Sequence, residues 1–407
     1  MRAYLTVWRL PSAPVLLLAG FAGRLPSAMV PLALLLMVQQ HTGSYAVAGL
    51  ASAAYGIAMA IMAPILGRRA DRHGPRGVLL TEAVVYPLLL AVLIAVVLSG
   101  ASSGLVLAAS AAAGASTPLV SGTVRALWSR VDVRMRGTAY ALDATFTELV
   151  FVVGPTMVAV VTVLASPAVA IGLAGLLATT GTVGIAMVPV LRRWTAPAGD
   201  RGGVFDTVRT AGMPRILASG SALMLGFGAL ETAISAFATV SGRPGLSGVL
   251  LAVWSLGSAI GGLWFGALVL RTPLPRQYRW GLVGVTFGLA PLAAVGSPWV
   301  LGVLLFLGGT AIAPTLTVQS NLVGVIAPPH ATTEAFTWLS TIAFGASAVG
   351  AALSGALIDS SLGLAGAFVL AALGAAVAAA LAMVPGRRPT VPAAELVPTD
   401  ADHALAA

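Results

Sequence analysis

The sequence predicts an all-α membrane protein of about twelve transmembrane helices, arranged as two pseudo-symmetric bundles of six. Three observations predict it. Hydrophobic residues fill 58% of 407 positions and charged residues only 9%, whereas a soluble surface needs roughly 25% charged residues. Apolar runs of about 20 residues, the length that crosses ~30 Å of hydrocarbon as a helix, recur along the chain. The 22 basic residues are all arginine, and they collect in alternate gaps between those runs, as the positive-inside rule requires.

Taken in order, the apolar runs place six spans at residues 13–38, 45–66, 78–99, 102–124, 137–163 and 167–190. Six more follow at 214–240, 245–270, 280–297, 299–326, 334–358 and 363–385. The first run is longer than the apolar core of a signal peptide and lacks a following small-residue cleavage site, so it is expected to stay as a span. Gly296, Ser297 and Pro298 form a turn cluster that separates the ninth span from the tenth. With the N-terminus inside, 20 of the 22 arginines face the cytoplasm; Arg243 lies on the outer side and Arg24 inside a span. Trp8, Trp128, Trp194, Trp280 and Trp299 fall near span ends, where amphipathic rings favour the interface.

The longest polar gap runs from Leu191 to Gly212 and carries Pro197, Gly199, Gly202 and Gly203. It divides the chain into a first bundle at 1–190, a cytoplasmic linker at 191–213 and a second bundle at 214–385, the organisation of nested membrane repeats. The tail at 386–407, with three prolines and three acids, reads as a disordered cytoplasmic end. Both termini are thus expected in the cytoplasm and the chain in the plasma membrane. Small residues at four-residue spacing, Gly257/Gly261 and Gly262/Gly266 in the eighth span and Ala346/Gly350/Ser354 in the eleventh, mark close helix contacts.

Between the second and third spans stands GRRADRHGPRG, Gly67 to Gly77. Gly67 suits a close helix end, and Gly74 with Pro75 re-aims the chain. Asp71 is the one carboxylate among Arg68, Arg69, Arg72 and Arg76, and it can pair with an arginine or sit against the positive N-terminus of another helix. This segment resembles the signature loop of the major facilitator superfamily. Gly67, Asp71, Arg72, Gly74 and Arg76 match, and Pro75 stands where a basic residue is usual. The resemblance implies the major facilitator fold, with Asp71 and Arg72 gating the cytoplasmic side and Asp71 stabilising the outward-facing state. In the fifth span, Gly154 and Pro155 partly resemble the helix-bending motif of the family's antiporters, without its preceding glycines. The fourth-span arginine of the family is missing; Ser110 stands near its place.

Charges at bilayer depth cost several kcal/mol, roughly 2.5–3.5 on insertion scales, and so face a cavity or a partner. Arg24, Asp143, Glu148 and Glu231 are the candidates. Arg24 and Glu148 each lie about 11 residues past the inner end of an outward-running helix, ~16 Å deep, which permits a pair near the midplane. Asp143 lies nearer the cytoplasm and about 140° round the helix from Glu148, serving an inner vestibule or a loop contact. Glu231 has no arginine at its depth, so it faces water or carries a proton. Gln319 and Asn321 offer polar contacts to a substrate or a neighbouring helix. Glu82 and Glu334, near the cytoplasmic ends, suit contacts with arginines or helix N-termini.

Cysteine is absent, and the four histidines stand singly without metal spacing, so no metal or other cofactor is implied. The sequence lacks the acid, histidine or Ser/Lys clusters of a membrane-embedded enzyme. The arginines read as topology signals, not as a nucleic-acid surface. The expected activity is secondary transport by alternating access: export of a drug-like or metabolite compound, coupled to proton antiport. Uptake or facilitated passage of a small polar solute such as a sugar is the second reading, and a non-transporting receptor or scaffold the third. The expected partners are a small molecule, protons and the bilayer, with the chain acting as a monomer.

Overall fold

A lipid-exposed backbone satisfies its N–H and C=O groups only by turning them inward, and this chain does so with helices throughout. The computed structural model describes residues 2–192, 205–243, 246–268, 270 and 272–384. Helix α1 (Arg2–Trp8) precedes α2 (Ala13–Thr42), α3 (Tyr45–His73) and α4 (Pro75–Leu98). The fourth span is two pieces, α5 (Ser103–Ala115) and α6 (Val120–Trp128), followed by α7 (Val133–Leu164) and α8 (Pro167–Ala186). Short α9 (Pro189–Arg192) and α10 (Asp206–Arg209) flank the central segment. The second set comprises α11 (Met213–Val240), α12 (Leu246–Gly266), α13 (Leu274–Leu289), α14 (Pro298–Gly309), α15 (Ile312–Ile326), α16 (Thr332–Ile358) and α17 (Gly363–Met383).

Eleven helical segments of the described residues are long and apolar enough to span a bilayer. The ninth predicted span is the short one: α13 has 16 residues and continues as a 3₁₀ turn through Ala290–Ala294 before Val295–Ser297 turns the chain into α14. This is a multi-pass membrane protein, with the twelve-helix plan intact. The linker residues 193–204, which include Arg193, Trp194, Pro197, Gly199, Arg201, Gly202 and Gly203, lie outside the described residues, as do Arg271 and the tail at 386–407.

Packing repeats between the two halves. In the first, α2 packs on α7 and α8, α3 on α5, and α4 on α8. In the second, α11 packs on α16 and α17, α12 on α14, and α13 on α17. The fourth and tenth spans are interrupted at corresponding places, α5–α6 and α14–α15. At the first break, Glu82 accepts the Leu119 backbone N–H at 2.9 Å, and Tyr55 bonds both Tyr86 (2.7 Å) and Thr117 (3.1 Å). Glu82 thus caps the start of α6, the helix-terminus role its position suggested.

The glycine spacings mark true close approaches. A Cβ at Gly257 or Gly261 would overlap the carbonyls of Phe306 and Thr310, and one at Gly350 the carbonyl of Leu225. Ser354 donates to the Ala229 carbonyl at 2.9 Å. Backbones in contact give dispersion and Cα–H contacts where burial from water gives no drive between helices. Trp128 departs from expectation: it is 1% exposed, packed inside the bundle instead of at the interface, because the break in the fourth span carries α6 on to residue 128. Trp280 and Trp299 are 66% and 83% exposed, as interfacial rings would be.

Candidate functional site

The two halves meet at the arginine-rich end. There α3 and α6 pack on α16, and α7 packs on α12 and α15. Gly67 lies inside α3, not at its end, since the helix runs on to His73; it is a glycine because Thr337 and the Glu334 backbone of α16 press against it. One turn later, Asp71 is 4% exposed and accepts the backbone N–H groups of Thr333 (3.2 Å) and Glu334 (2.8 Å). These belong to the first turn of α16, whose own N-cap residue, Ala331, supplies no side-chain bond. Asp71 therefore caps a helix of the opposite half, combining hydrogen bonds with a favourable charge–dipole contact. Of the two partners its sequence context allowed, the helix N-terminus supplies the hydrogen bonds, and Arg130 stands close enough for its charge to act on Asp71.

Gly74 joins α3 to α4 at φ +89°, a conformation that favours glycine. Arg72 and Arg76 are half-buried beside it. The same end is tied further by Thr138, donating to the Gly266 carbonyl at 2.9 Å, and by Tyr4, donating to the Leu263 carbonyl. Burial pushes the Tyr4 hydroxyl up to about 12, so it remains a neutral donor at physiological pH. Among the described residues, α2 and α11 do not pack closely on one another, so no comparable seam joins these two helices across the halves.

Above this closed end lies a cavity of about 380 Å³, within the size range of small-molecule sites. Both halves contribute walls. Counting 1.5 Å per residue from the arginine-rich ends of the helices, Gly220 and Gln319 lie ~10 Å up, Arg24 and Asp143 ~15 Å, Glu148 ~22 Å and Glu231 ~27 Å. Phe151, Phe227, Trp254 and Phe344 supply aromatic surface, with Phe227 and Trp254 edge to face at 5.4 Å.

The expected Arg24–Glu148 pair is not the one formed. Arg24 Nη2 bonds Asp143 Oδ1 at 2.6 Å and Arg125 Nε bonds Asp143 Oδ2 at 3.2 Å, which makes Asp143 the hub of a buried triad. Because α7 starts at Val133 and not at 137, Glu148 stands ~7 Å farther along than Arg24 while Asp143 stands level with it, and the 140° between Asp143 and Glu148 turns Asp143 towards α2. Glu148 instead accepts from Ser258 of the opposite half at 3.2 Å. Glu231 is exposed into the cavity, close enough to Glu148 for the two charges to act on each other.

Gln319 lines the cavity, with its Nε2 buried and unpartnered. Asn321 is not among the lining residues: two positions along a helix is about 200° of rotation, so the two amides cannot share a wall. Gly154 packs against Ala28 of α2, and α7 continues through Pro155 unbroken. Ser110, standing near the missing arginine's place, is fully buried and bonds the Val106 carbonyl.

Arg125, Ser258 and Trp254 are among the wall residues that sequence reasoning missed. Arg125 counted as a loop arginine because the fourth span was drawn to end at 124. Its four-residue spacing from Ser121, which puts both on one helix face, was the signal available.

The sequence profile described as Major Facilitator Superfamily matches residues 16–292. No curated protein sequence matches the chain. Among solved structures, the chain is similar to the human organic anion transporter MFSD10 (TETRAN), at 16% identity and TM-score 0.71 over 91% of this chain and 98% of that one. A bacterial homologue of the iron transporter ferroportin in outward-facing state gives 16% identity and TM-score 0.73, with the same coverage. The transporter FucP in the outward conformation gives 14% and 0.68 over 94% of this chain and 99% of that one. These likenesses establish the fold alone. With the profile covering more than half of the chain, the protein belongs to the Major Facilitator Superfamily and is a transporter rather than an enzyme.

Proposed function

We propose that this chain is a secondary transporter that exports a small organic compound in exchange for protons, by alternating access to the central cavity. The observation that carries the reading is the pair of carboxylates facing one cavity from opposite halves, Glu148 on α7 and Glu231 on α11. Two negative charges across a desolvated space repel unless a cation lies between them. A proton and a cationic group of the substrate satisfy that need equally, and each displaces the other. Mutual displacement at one site is the simplest form of exchange.

In this reading the arginine-rich end is cytoplasmic, following the positive-inside rule. The Asp71 cap, the Tyr4 and Thr138 bonds and the close Gly67 contact then close the inner side, and the protein stands outward-facing. That state matches the one named for two of the structural relatives. The residues 1–190 and 214–385 act as the two rocking bodies, the chain works as a monomer, and it resides in the plasma membrane with both termini inside.

The test is proton movement in everted vesicles containing the protein, challenged with cationic and neutral organic compounds. A compound that collapses a preformed pH gradient only when the protein is present supports proton exchange. If the purified protein moves compounds without any proton flux, the antiport reading fails and facilitated passage or uptake replaces it.

A further inference from the structure

Glu148 and Glu231 account for a cation in the upper cavity, but the lower wall has the opposite character. Arg24 and Arg125 share the single carboxylate of Asp143, leaving one positive charge in excess. Arg24 Nε and Gln319 Nε2 are both buried without an acceptor, although their residues are only 5% and 4% exposed. Arg125 spends Nε on Asp143, and among the described residues its two terminal nitrogens take no protein partner. Buried donors in folded proteins are almost always satisfied, so a cluster of unsatisfied ones in a ligand cavity lacks an acceptor. The residues flanking it, Ser121, Gly220 and Ser320, bring no carboxylate.

Along the cavity, then, Gln319 and Arg24 lie ~10–16 Å from the arginine-rich end, with the Arg125 head group held against Asp143 at ~15 Å, and two carboxylates lie ~22–27 Å from it, some 6–17 Å apart in depth. Between them stand Phe227 and Trp254. We infer that the substrate is an extended zwitterion: an anionic group such as a carboxylate on the Arg24–Arg125–Gln319 donors, an apolar body on the aromatic wall, and an ammonium between Glu148 and Glu231. This rests on the same cavity being the transport site, and it adds a requirement for the anionic end. An α-amino acid, with both charged groups on one carbon and so only about 3 Å apart, cannot reach both poles.

The experiment is titration calorimetry on the purified full-length chain with four probes of matched size. Para-(aminomethyl)phenylacetate carries both charges at opposite ends, and phenylalanine is its isomer with the charges adjacent. Para-ethylbenzylamine keeps only the cation, and para-methylphenylacetate only the anion. The extended zwitterion is expected to bind at least about tenfold tighter than each of the others, because every loss leaves one pole unpaired. Arg125→Gln and Gln319→Leu should each bring its affinity down towards that of para-ethylbenzylamine, and either variant alone suffices if the other does not fold.

Equal binding of para-ethylbenzylamine and the zwitterion by the native chain overturns the inference, as does the absence of binding by all four. Ser255→Trp, which fills the cavity from α12, separates the two levels of the argument. If the zwitterion preference survives that variant, the cavity itself is not the site. If binding vanishes with it but shows no charge preference, the site stands and the zwitterion does not.

Discussion

At the scale of single residues, the buried triad decides how charge is tolerated in the first bundle. Asp143 serves two guanidiniums, so the members are not interchangeable. Arg24→Ala leaves one cation with one anion, whereas Asp143→Asn leaves two cations with none. Breaking a buried pair costs about 3–5 kcal/mol when a charge is stranded. Asp143→Asn should therefore lower the thermal unfolding midpoint in detergent clearly more than Arg24→Ala; the reverse order would mean that Asp143 is not the hub. Glu148→Gln and Glu231→Gln should leave that midpoint nearly unchanged, because both face the cavity, yet each should abolish substrate-driven collapse of the pH gradient in vesicles. The sequence made Arg24, Asp143, Glu148 and Glu231 visible as charges at bilayer depth. It could not assign their partners, because depth counts from a helix start that hydropathy placed four residues late in α7, and azimuth depends on how each helix is rotated against its neighbours. Gln319 lines the cavity and Asn321 does not, again because two positions along one helix face different ways.

Among elements, the glycines divide into those against a neighbouring backbone and those facing open space. Gly350, against the Leu225 carbonyl, and Gly228, against the Ser347 carbonyl, belong to the first class; Gly248 and Gly355 belong to the second. Alanine at Gly350 or Gly228 forces helices apart and should destabilise by about 1–3 kcal/mol. At Gly248 or Gly355 it should be neutral or gain about 0.5–1 kcal/mol from helix propensity. Thermal unfolding of the four variants checks this, and equal effects at all four would remove the close-packing account. The small-residue spacings of the eighth and eleventh spans were legible beforehand, as was the turn at Gly296–Pro298. The break between α5 and α6 was not. Gly114, Ser116 and Pro118 weaken the helix there, since Pro118 has no N–H and disfavours helical geometry at Thr117. But Pro26, Pro31, Pro64, Pro87 and Pro155 sit inside continuous helices, so proline alone does not mark the break. It is held open by partners from other spans, Glu82 on the Leu119 N–H and Tyr55 on Thr117. Missing that break shortened the fourth span and left Arg125 among the loop arginines.

For the whole molecule, the proposed alternating access makes the seam at the arginine-rich end the contact that sets the balance between states. Removing a helix cap costs about 0.5–2 kcal/mol, which moves a two-state equilibrium roughly 2- to 30-fold. Asp71→Ala should therefore shift the protein towards the opposite opening. The chain has no cysteine, so Phe344→Cys, at an exposed position in the cavity wall, would be its sole thiol. Its reaction with an impermeant reagent added from outside should slow when Asp71→Ala is introduced; an unchanged rate would show that the cap does not bias the state. The plan of the molecule, two sets of six spans with a signature loop between the second and third, was readable from hydropathy, arginine placement and one motif. Which helix that loop meets was not, since Asp71 and α16 are separated by more than 250 residues and the donors that mark the contact include two peptide nitrogens.

That last detail has a genetic consequence. The donors that Asp71 engages are the peptide nitrogens of Thr333 and Glu334, which every amino acid but one carries. Substitution can erase the acceptor by a single change at position 71, while the donor side of the bond is encoded by no particular codon. Saturation mutagenesis scored for transport should find position 71 nearly closed to replacement and positions 333 and 334 open to other small residues, with proline, lacking the N–H, as the sharp exception at both. The two halves of the molecule would then have drifted under unequal constraint at one shared contact.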